Sequence, residues 1–175
     1  YKRQGLPISE ATGSMVIDIG GGTTEIAVMS LGGVVYSNSL RVAGDAMDNA
    51  LANYMRKEYN LMIGDSTAEK IKKEIGTAIA TNNNTYAVKG RDLRSGTPKE
   101  VNITEEDTVE ALNPILKEMI NGIKDALENT PPELSADLVD MGLTLTGGGA
   151  LLKNIDKRLS KETGLPVHIA EDQLA

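Results

Sequence analysis

Asp18, Ile19, Gly20, Gly21, Gly22, Thr23, Thr24 and Glu25 follow one another between two short apolar runs, Ser14–Gly20 and Thr24–Ser30. Each run has the length and make-up of a buried strand. Gly32 and Gly33 give a two-residue hairpin signal, and Val34–Leu40 supplies a third strand. Three adjacent strands with short turns form an antiparallel meander. The glycines do more than turn the chain. Without a Cβ, they let a strand-to-strand turn present its N–H groups outward, and such a concavity suits phosphate oxygens. Thr23 and Thr24 add hydroxyl donors. Asp18, at the strand end, is placed to hold a hydrated Mg²⁺ against the phosphates, because Mg²⁺ favours one or two carboxylates plus water. The same residues also fit a plain hairpin whose turn Asp18 ties. The loop is neither a P-loop nor a dinucleotide fingerprint, since it lacks the Lys and the following helix those need.

Beyond the meander, Met47, Ala50, Leu51, Tyr54 and Met55 recur at helical spacing from Gly44 on. Ser66 and Glu69 fit a capping box, and Ile71, Ile75 and Ala78 give the next helix an apolar stripe. Its polar side carries Glu69, Lys72 and Lys73, close together on the helix surface. Glu69 is suited to accept from ribose hydroxyls and the Lys stems to flank a base; a solvated helix face fits them too. Thr85–Lys89 and Lys99–Ile103 read as two short strands. Thr104 is the expected N-cap of a helix through Val109 and Leu112, interrupted at Pro114 and resumed along Ile115–Leu127. Pro131 and Pro132 open a further helix through Asp140. Leu143–Thr146 is a strand, and Gly147, Gly148 and Gly149 a tight loop before a helix with stripe Leu151, Leu152, Ile155 and Leu159, ended by Gly164. Pro166–Ala170 is the last strand. The loop Gly147–Ala150 offers backbone to a flat base or a phosphate at a helix start; close packing of strand on helix explains it equally. His168, the single histidine, has no Ser or Cys partner in view and is read as structural.

Composition excludes several classes. A formal net charge of −7 argues against nucleic acid, and 3% aromatics, with no Trp or Phe, leave no stacking platform for single strands. A mononucleotide needs few basic side chains, so it is not excluded. The absence of cysteine rules out disulfides and thiolate metal sites. No apolar run reaches the length of a membrane span, and no signal peptide opens the chain. The expectation is a soluble, intracellular protein. Residues 45–104 read as an insertion between two parts of one sheet-based unit.

The order of features is phosphate hairpin, charged helix in an insertion, then Gly-rich strand-to-helix loop. It resembles the second lobe of the actin, heat-shock-chaperone and sugar-kinase superfamily. Within it, the stretches GSMVIDIGGGTTEIAVMSLGGVVYS, STAEKIKKEIGTA, VKGRDLRSGTPKEV and TPPELSADLVDMGLTLTGGGALLKNID are similar to the MreB family of bacterial actin homologues, and the likeness runs from about Gly5 to Asp172. The resemblance implies an α/β lobe of an actin-like ATPase. Its mixed sheet would be packed by helices in a IIA-like unit (1–44 and 105–175), with a small IIB-like α/β insertion (45–104). It implies ATP or ADP with Mg²⁺ as ligands. Gly20, Gly21, Gly22, Thr23 and Thr24 would hold phosphate, and Asp18 the water shell of the metal. Glu69, Lys70, Ile71, Lys72 and Lys73 would line the adenosine, and Gly147, Gly148, Gly149 and Ala150 would close over it. It further implies filament protomers and bacterial cell-shape membrane proteins as partners, and a cytoplasmic place at the inner face of the membrane. No nucleic acid and no direct membrane contact are expected of this lobe. A kinase or a chaperone ATPase lobe of the same superfamily is the alternative.

Complete members carry a first lobe with its own phosphate hairpin and a Glu that positions the attacking water, both expected ahead of Tyr1. Tyr1–Gln4 do not match the small-residue helix end expected there, and Gln173 stands where Pro is expected. The chain is therefore expected to be a single lobe, with catalytic residues lying outside it. Phosphoryl transfer needs positioning from all sides. Steady-state assays are expected to find weak ATP binding and no turnover; affinity near that of an intact actin homologue would contradict this.

Overall fold

The computed structural model describes residues 13–170. The polar opening expected at Tyr1–Gly13, save its last residue, and the departure at Gln173 lie outside them. The meander forms as read: β1 (Ser14–Ile19), β2 (Thr24–Ser30) and β3 (Gly33–Leu40) pair antiparallel in sequence. Helix α1 (Gly44–Tyr59) follows, then a two-residue strand β4 (Leu61–Met62), too short to leave a periodic signal. Helix α2 (Asp65–Glu74) leads to the long hairpin β5 (Thr85–Asp92) and β6 (Pro98–Thr104). Helices α3 (Glu105–Glu128) and α4 (Pro132–Met141), strand β7 (Leu143–Thr146), a 3-10 turn (Gly148–Leu151), α5 (Ile155–Thr163) and β8 (Val167–Ile169) complete the chain.

The strands form two sheets: a five-stranded one in the order β3-β2-β1-β7-β8, and a three-stranded one in the order β4-β5-β6. In the larger sheet β7 joins β1 in parallel, with Met15 opposite Leu143 and Asp18 opposite Thr146, and β8 joins β7 in parallel. Met15, Ile17, Ile19, Ile26, Val28, Leu143 and Leu145 are all buried. Helix α3 lies close against the sheet at Gly122, where an added Cβ would fall 2.6 Å from Leu40 Cδ1.

Three local expectations are corrected. First, α2 starts at an N-cap of Gly64 without a side-chain cap, not at a Ser66 capping box. The amide of Ala68 already bonds Gly64 O at 3.0 Å, which puts Ser66 inside the first turn. Second, α3 runs unbroken through Pro114. The ring removes one donor on the exposed side, while Leu112, Leu116, Met119, Ile120 and Ile123 stay buried on the other. That much apolar burial, at about 1.5–3 kcal/mol per large side chain, outweighs the roughly 3 kcal/mol cost of an internal proline. Third, the helix read from Leu151 begins only at Ile155, after the 3-10 turn and Asn154 at φ 65°.

Two carboxylates tie the three-stranded sheet's connections to α3. Glu105 is fully buried and accepts from the amides of Thr81 at 3.0 Å and Asn82 at 3.1 Å, with Lys153 Nζ at 3.8 Å. Burial alone would raise its pKa, but those amides and the ammonium together hold it below the ordinary carboxylate range. Asp107 completes a capping box with Thr104 and also accepts from two tyrosine hydroxyls, Tyr54 at 2.6 Å and Tyr59 at 2.9 Å. Burial again pushes upward, and the hydroxyls and the Thr104 amide outweigh it, so Asp107 too is depressed. Tyr59 is pushed up to about 12, first by burial and then by the Asp107 hydrogen bond.

Both carboxylates are lowered on folding. Their contribution is complete above the ordinary values near pH 4 and is lost as pH falls through the lower folded ones. Tyr59 is raised, so its contribution is complete below about pH 10 and is lost as pH rises through about 12. Thermal melts are expected to show a plateau between these limits and a fall below about pH 4, with Glu105→Gln and Asp107→Asn each making the acid fall shallower.

Candidate functional site

The hairpin between β1 and β2 separates its polar groups into two sets. The Gly20 amide donates to Thr23 O at 2.9 Å and closes the turn. The amides of Gly21, Gly22 and Thr23 have no hydrogen-bond partner among the described residues, and all three residues are exposed. On the other side of the loop, Gly20 O accepts from the Gly44 amide at 3.0 Å and Gly21 O from the Asp45 amide at 2.8 Å. The N-terminus of α1 thus holds the hairpin's carbonyls, which leaves its donors facing outward. Three adjacent outward amides form the kind of concavity that suits an anion.

A second loop lies beside the first because β1 and β7 are parallel neighbours, so both strands end on the same edge. Gly147, at φ 87°, packs so tightly that an added Cβ would fall 2.5 Å from both Asp18 Oδ1 and Ile19 O. The amides of Gly148 and Gly149 likewise find no partner among the described residues. Five free N–H groups from two distant parts of the sequence therefore share one edge. Carboxyl ends of parallel strands are where open α/β sheets bind ligands.

The remaining expected residues fall in different places. Asp18 is exposed at the strand end. Among the described residues no three His, Cys, Asp or Glu side chains gather to hold a metal. Asp18 is a single exposed carboxylate, and a hydrated Mg²⁺ needs only one or two carboxylates from a protein. Lys72 reaches from α2 to α1, with Nζ 3.0 Å from Asp48 Oδ1 and 3.3 Å from Gly44 O. Its ammonium therefore sits at the hairpin's support. Glu69 pairs with Lys73 at 3.6 Å on the exposed face of α2, and Lys70 is exposed beside them. His168 is exposed on β8, opposite Thr144.

Four side-chain or amide roles are corrected by the geometry. Thr24 is fully buried and its hydroxyl donates to Val42 O at 2.6 Å, so it anchors the segment before α1 instead of facing a phosphate. The Gly20 amide is engaged within the turn. Ile71 and the Ala150 methyl are fully buried in the core, which leaves each only its backbone for a ligand. Sequence reasoning missed Leu151, whose side chain is 54% exposed directly after the glycine loop. It was read as part of a helix stripe, and only the 3-10 turn rotates it outward. It also missed Gly44 and Asp48, whose importance depends on contacts with residues far along the chain. A cavity of about 600 Å³ lies elsewhere, between Ile79, Val109, Asn113 and Arg158, and does not include the glycine loops.

Residues 4–175 match the family model described as MreB/Mbl protein. The chain is 52% identical over 171 residues to the cell shape-determining protein MreB of Escherichia coli strain K12, covering 97% of this chain and 49% of that protein. It is 43% identical over 171 residues to the cell shape-determining protein Mbl of Bacillus subtilis strain 168, covering 97% of this chain and 51% of that protein. The chain thus spans about half the length of the curated relatives it matches. Among solved structures, MreB5 of Spiroplasma citri bound to AMPPNP superposes with a TM-score of 0.91 at 43% identity, over 97% of this chain and 51% of that one. The MamK double helical filament shares the fold, with a TM-score of 0.76 at 21% identity, over 91% of this chain and 50% of that one.

Gly147 and Gly148 of the second loop separate sterics from site chemistry. Gly147→Ala forces a positive φ and a clash with backbone, and urea denaturation is expected to show a loss of at least about 1 kcal/mol. Gly148→Ala meets nothing within 4 Å and is expected to leave the midpoint within about 0.5 kcal/mol of the parent.

Proposed function

Because this chain belongs to the MreB/Mbl family, we propose that it is one nucleotide-binding lobe of an actin-like, filament-forming protein that determines rod cell shape. The observation that carries this reading is the set of unpaired amides at Gly21, Gly22 and Thr23 beside those of Gly148 and Gly149. They suit the phosphate tail of ATP or ADP, and the nucleotide complexes of MreB5 of Spiroplasma citri, with AMPPNP and with ADP, support the same ligand class.

In this reading Gly21, Gly22 and Thr23 donate to the phosphates, and Asp18 orients a Mg²⁺ ion through water. Gly148 and Gly149 close over the nucleotide, Leu151 offers its exposed face to the base, and Glu69 and Lys70 line the ribose side. Thr23 also brings its hydroxyl. Exposed donors of this kind gain strength once a bound ligand displaces the solvent around them. Bound ATP supplies the γ-phosphate whose presence or loss alters what the hairpin amides hold. The IIA-like unit (1–44 and 105–175) carries both glycine loops, and the IIB-like insertion (45–104) carries α2 and the three-stranded sheet.

The complete protein polymerises with itself and meets cell-shape membrane proteins at the inner face of the membrane. No helix among the described residues is long and apolar enough to cross a membrane.

Titration of the ¹⁵N-labelled chain with millimolar Mg²⁺–ATP tests the site. The amide resonances of Gly21, Gly22, Thr23, Gly148 and Gly149 are expected to move together, and Asp18→Asn to weaken the dependence of those shifts on Mg²⁺. Shifts confined to the cavity around Asn113, with the glycine amides unmoved, would overturn the reading.

A further inference from the structure

The amide of Gly21 and the carbonyl of Gly20 belong to one peptide group, as do the amide of Gly22 and the carbonyl of Gly21. Each of these two planar units presents its N–H to the site and its C=O to the first amides of α1, at 3.0 Å and 2.8 Å. An anion bonded to such an N–H polarises the whole unit, and hydrogen bonds in series strengthen one another. The start of α1 is therefore hydrogen-bonded to the same peptide groups whose N–H face the site. Lys72 reinforces the same point, since it bonds Gly44 O and pairs with Asp48 one turn along.

The far end of α1 meets a different feature. Tyr54 lies about 15 Å along the helix axis from Gly44. Its hydroxyl donates its one proton to Asp107 Oδ1 at 2.6 Å, with Glu110 Oε1 a second acceptor at 3.3 Å, and Tyr59 donates to Asp107 Oδ2 at 2.9 Å. The two rings meet edge to face at 6.3 Å. The clasp sits where the chain enters and leaves the three-stranded sheet. Asn60 O accepts from Leu93 N at 2.8 Å just past Tyr59, Tyr59 O accepts from Lys99 Nζ at 3.1 Å, and Asp107 caps the helix that follows β6. The chain's entry into the three-stranded sheet and its exit thus meet at one carboxylate. Residues 75–84, which join α2 to β5, are held by Glu105 and by the bonds of Thr77 to Thr108 and Lys153.

We propose that α1 is a strut that transmits phosphate occupancy from the peptide groups of Gly20–Gly22 to the Tyr54–Asp107–Tyr59 clasp, which sets the orientation of the three-stranded sheet. Asp107, Tyr54 and Tyr59 are positioning residues that touch no ligand. The inference rests on the nucleotide reading of the hairpin and adds the route by which that site reaches a distant element. Packed helices carry such shifts as small rigid movements, and the coupling works in both directions. Releasing the clasp therefore weakens nucleotide binding without altering any group in the site.

Amide hydrogen exchange with and without millimolar Mg²⁺–ATP tests this. In the parent chain, nucleotide is expected to slow exchange at Gly21–Thr23 and also, by roughly fivefold or more, across Met55–Met62 and β5. In Tyr54→Phe/Tyr59→Phe the hairpin is expected to remain protected at higher nucleotide concentration, while the slowing at Met55–Met62 and β5 disappears. Tyr59→Phe alone gives a smaller loss and guards against misfolding of the double variant, and Asp107→Glu is expected to restore part of the slowing. Nucleotide-dependent slowing that survives intact in both Phe variants overturns the strut while leaving the site standing. No slowing at Gly21–Thr23 in the parent overturns both.

Discussion

Parallel pairing of β1 with β7 is the contact on which the rest of this architecture depends. It places the ends of two strands from opposite parts of the chain on one edge, Asp18 beside Thr146. Without it there are two unrelated glycine turns; with it there are five free amides on a common edge. The pairing leaves little room. Gly147 must adopt a positive φ against Ile19 O, and Gly149 must pass the Ile19 side chain, so glycine at these positions is a packing requirement before it is a binding feature.

The hairpin illustrates how a site and its support divide one backbone. A turn of bare glycines is entropically costly to order. Here the first two amides of α1 hold the carbonyls of Gly20 and Gly21, and Thr24 is anchored to Val42 O. Helix N-terminal donors, which would otherwise need a cap or water, are satisfied by the loop, and α1 accordingly has no side-chain cap. Outward donors then follow from geometry, since a peptide's C=O and N–H point in opposite directions.

Electrostatics at the junction of the two sheets follow a related logic. Glu105 is a fully buried carboxylate, and an isolated buried charge would be prohibitively costly. It is tolerated because two backbone amides and an ammonium converge on it. Asp107 is satisfied by a capping box and two phenols at once. Both residues fix segments flanking the three-stranded sheet, so the connections are ordered by charge-assisted hydrogen bonds as well as by apolar packing.

Strands β1, β2, β3 and β7, helix α1 and both glycine loops were legible in the sequence, because turn chemistry, alternation and helical spacing are properties of neighbouring residues; the continuity of α3 through Pro114 was not, because it depends on what the helix packs against. The family likeness was legible for the same reason, in stretches such as Thr130–Asp156. What tertiary structure alone decided was which polar groups remain available. Thr23 and Thr24 are indistinguishable as letters, yet Thr24 turns inward to Val42 O. Gly20, Gly21 and Gly22 read alike, yet the Gly20 amide closes the turn. Leu151 fitted a buried stripe until a 3-10 turn rotated it outward, and the clasp on Asp107 joins residues some fifty positions apart. Whether a donor is free is set by partners that folding brings from elsewhere, and local pattern carries no record of them.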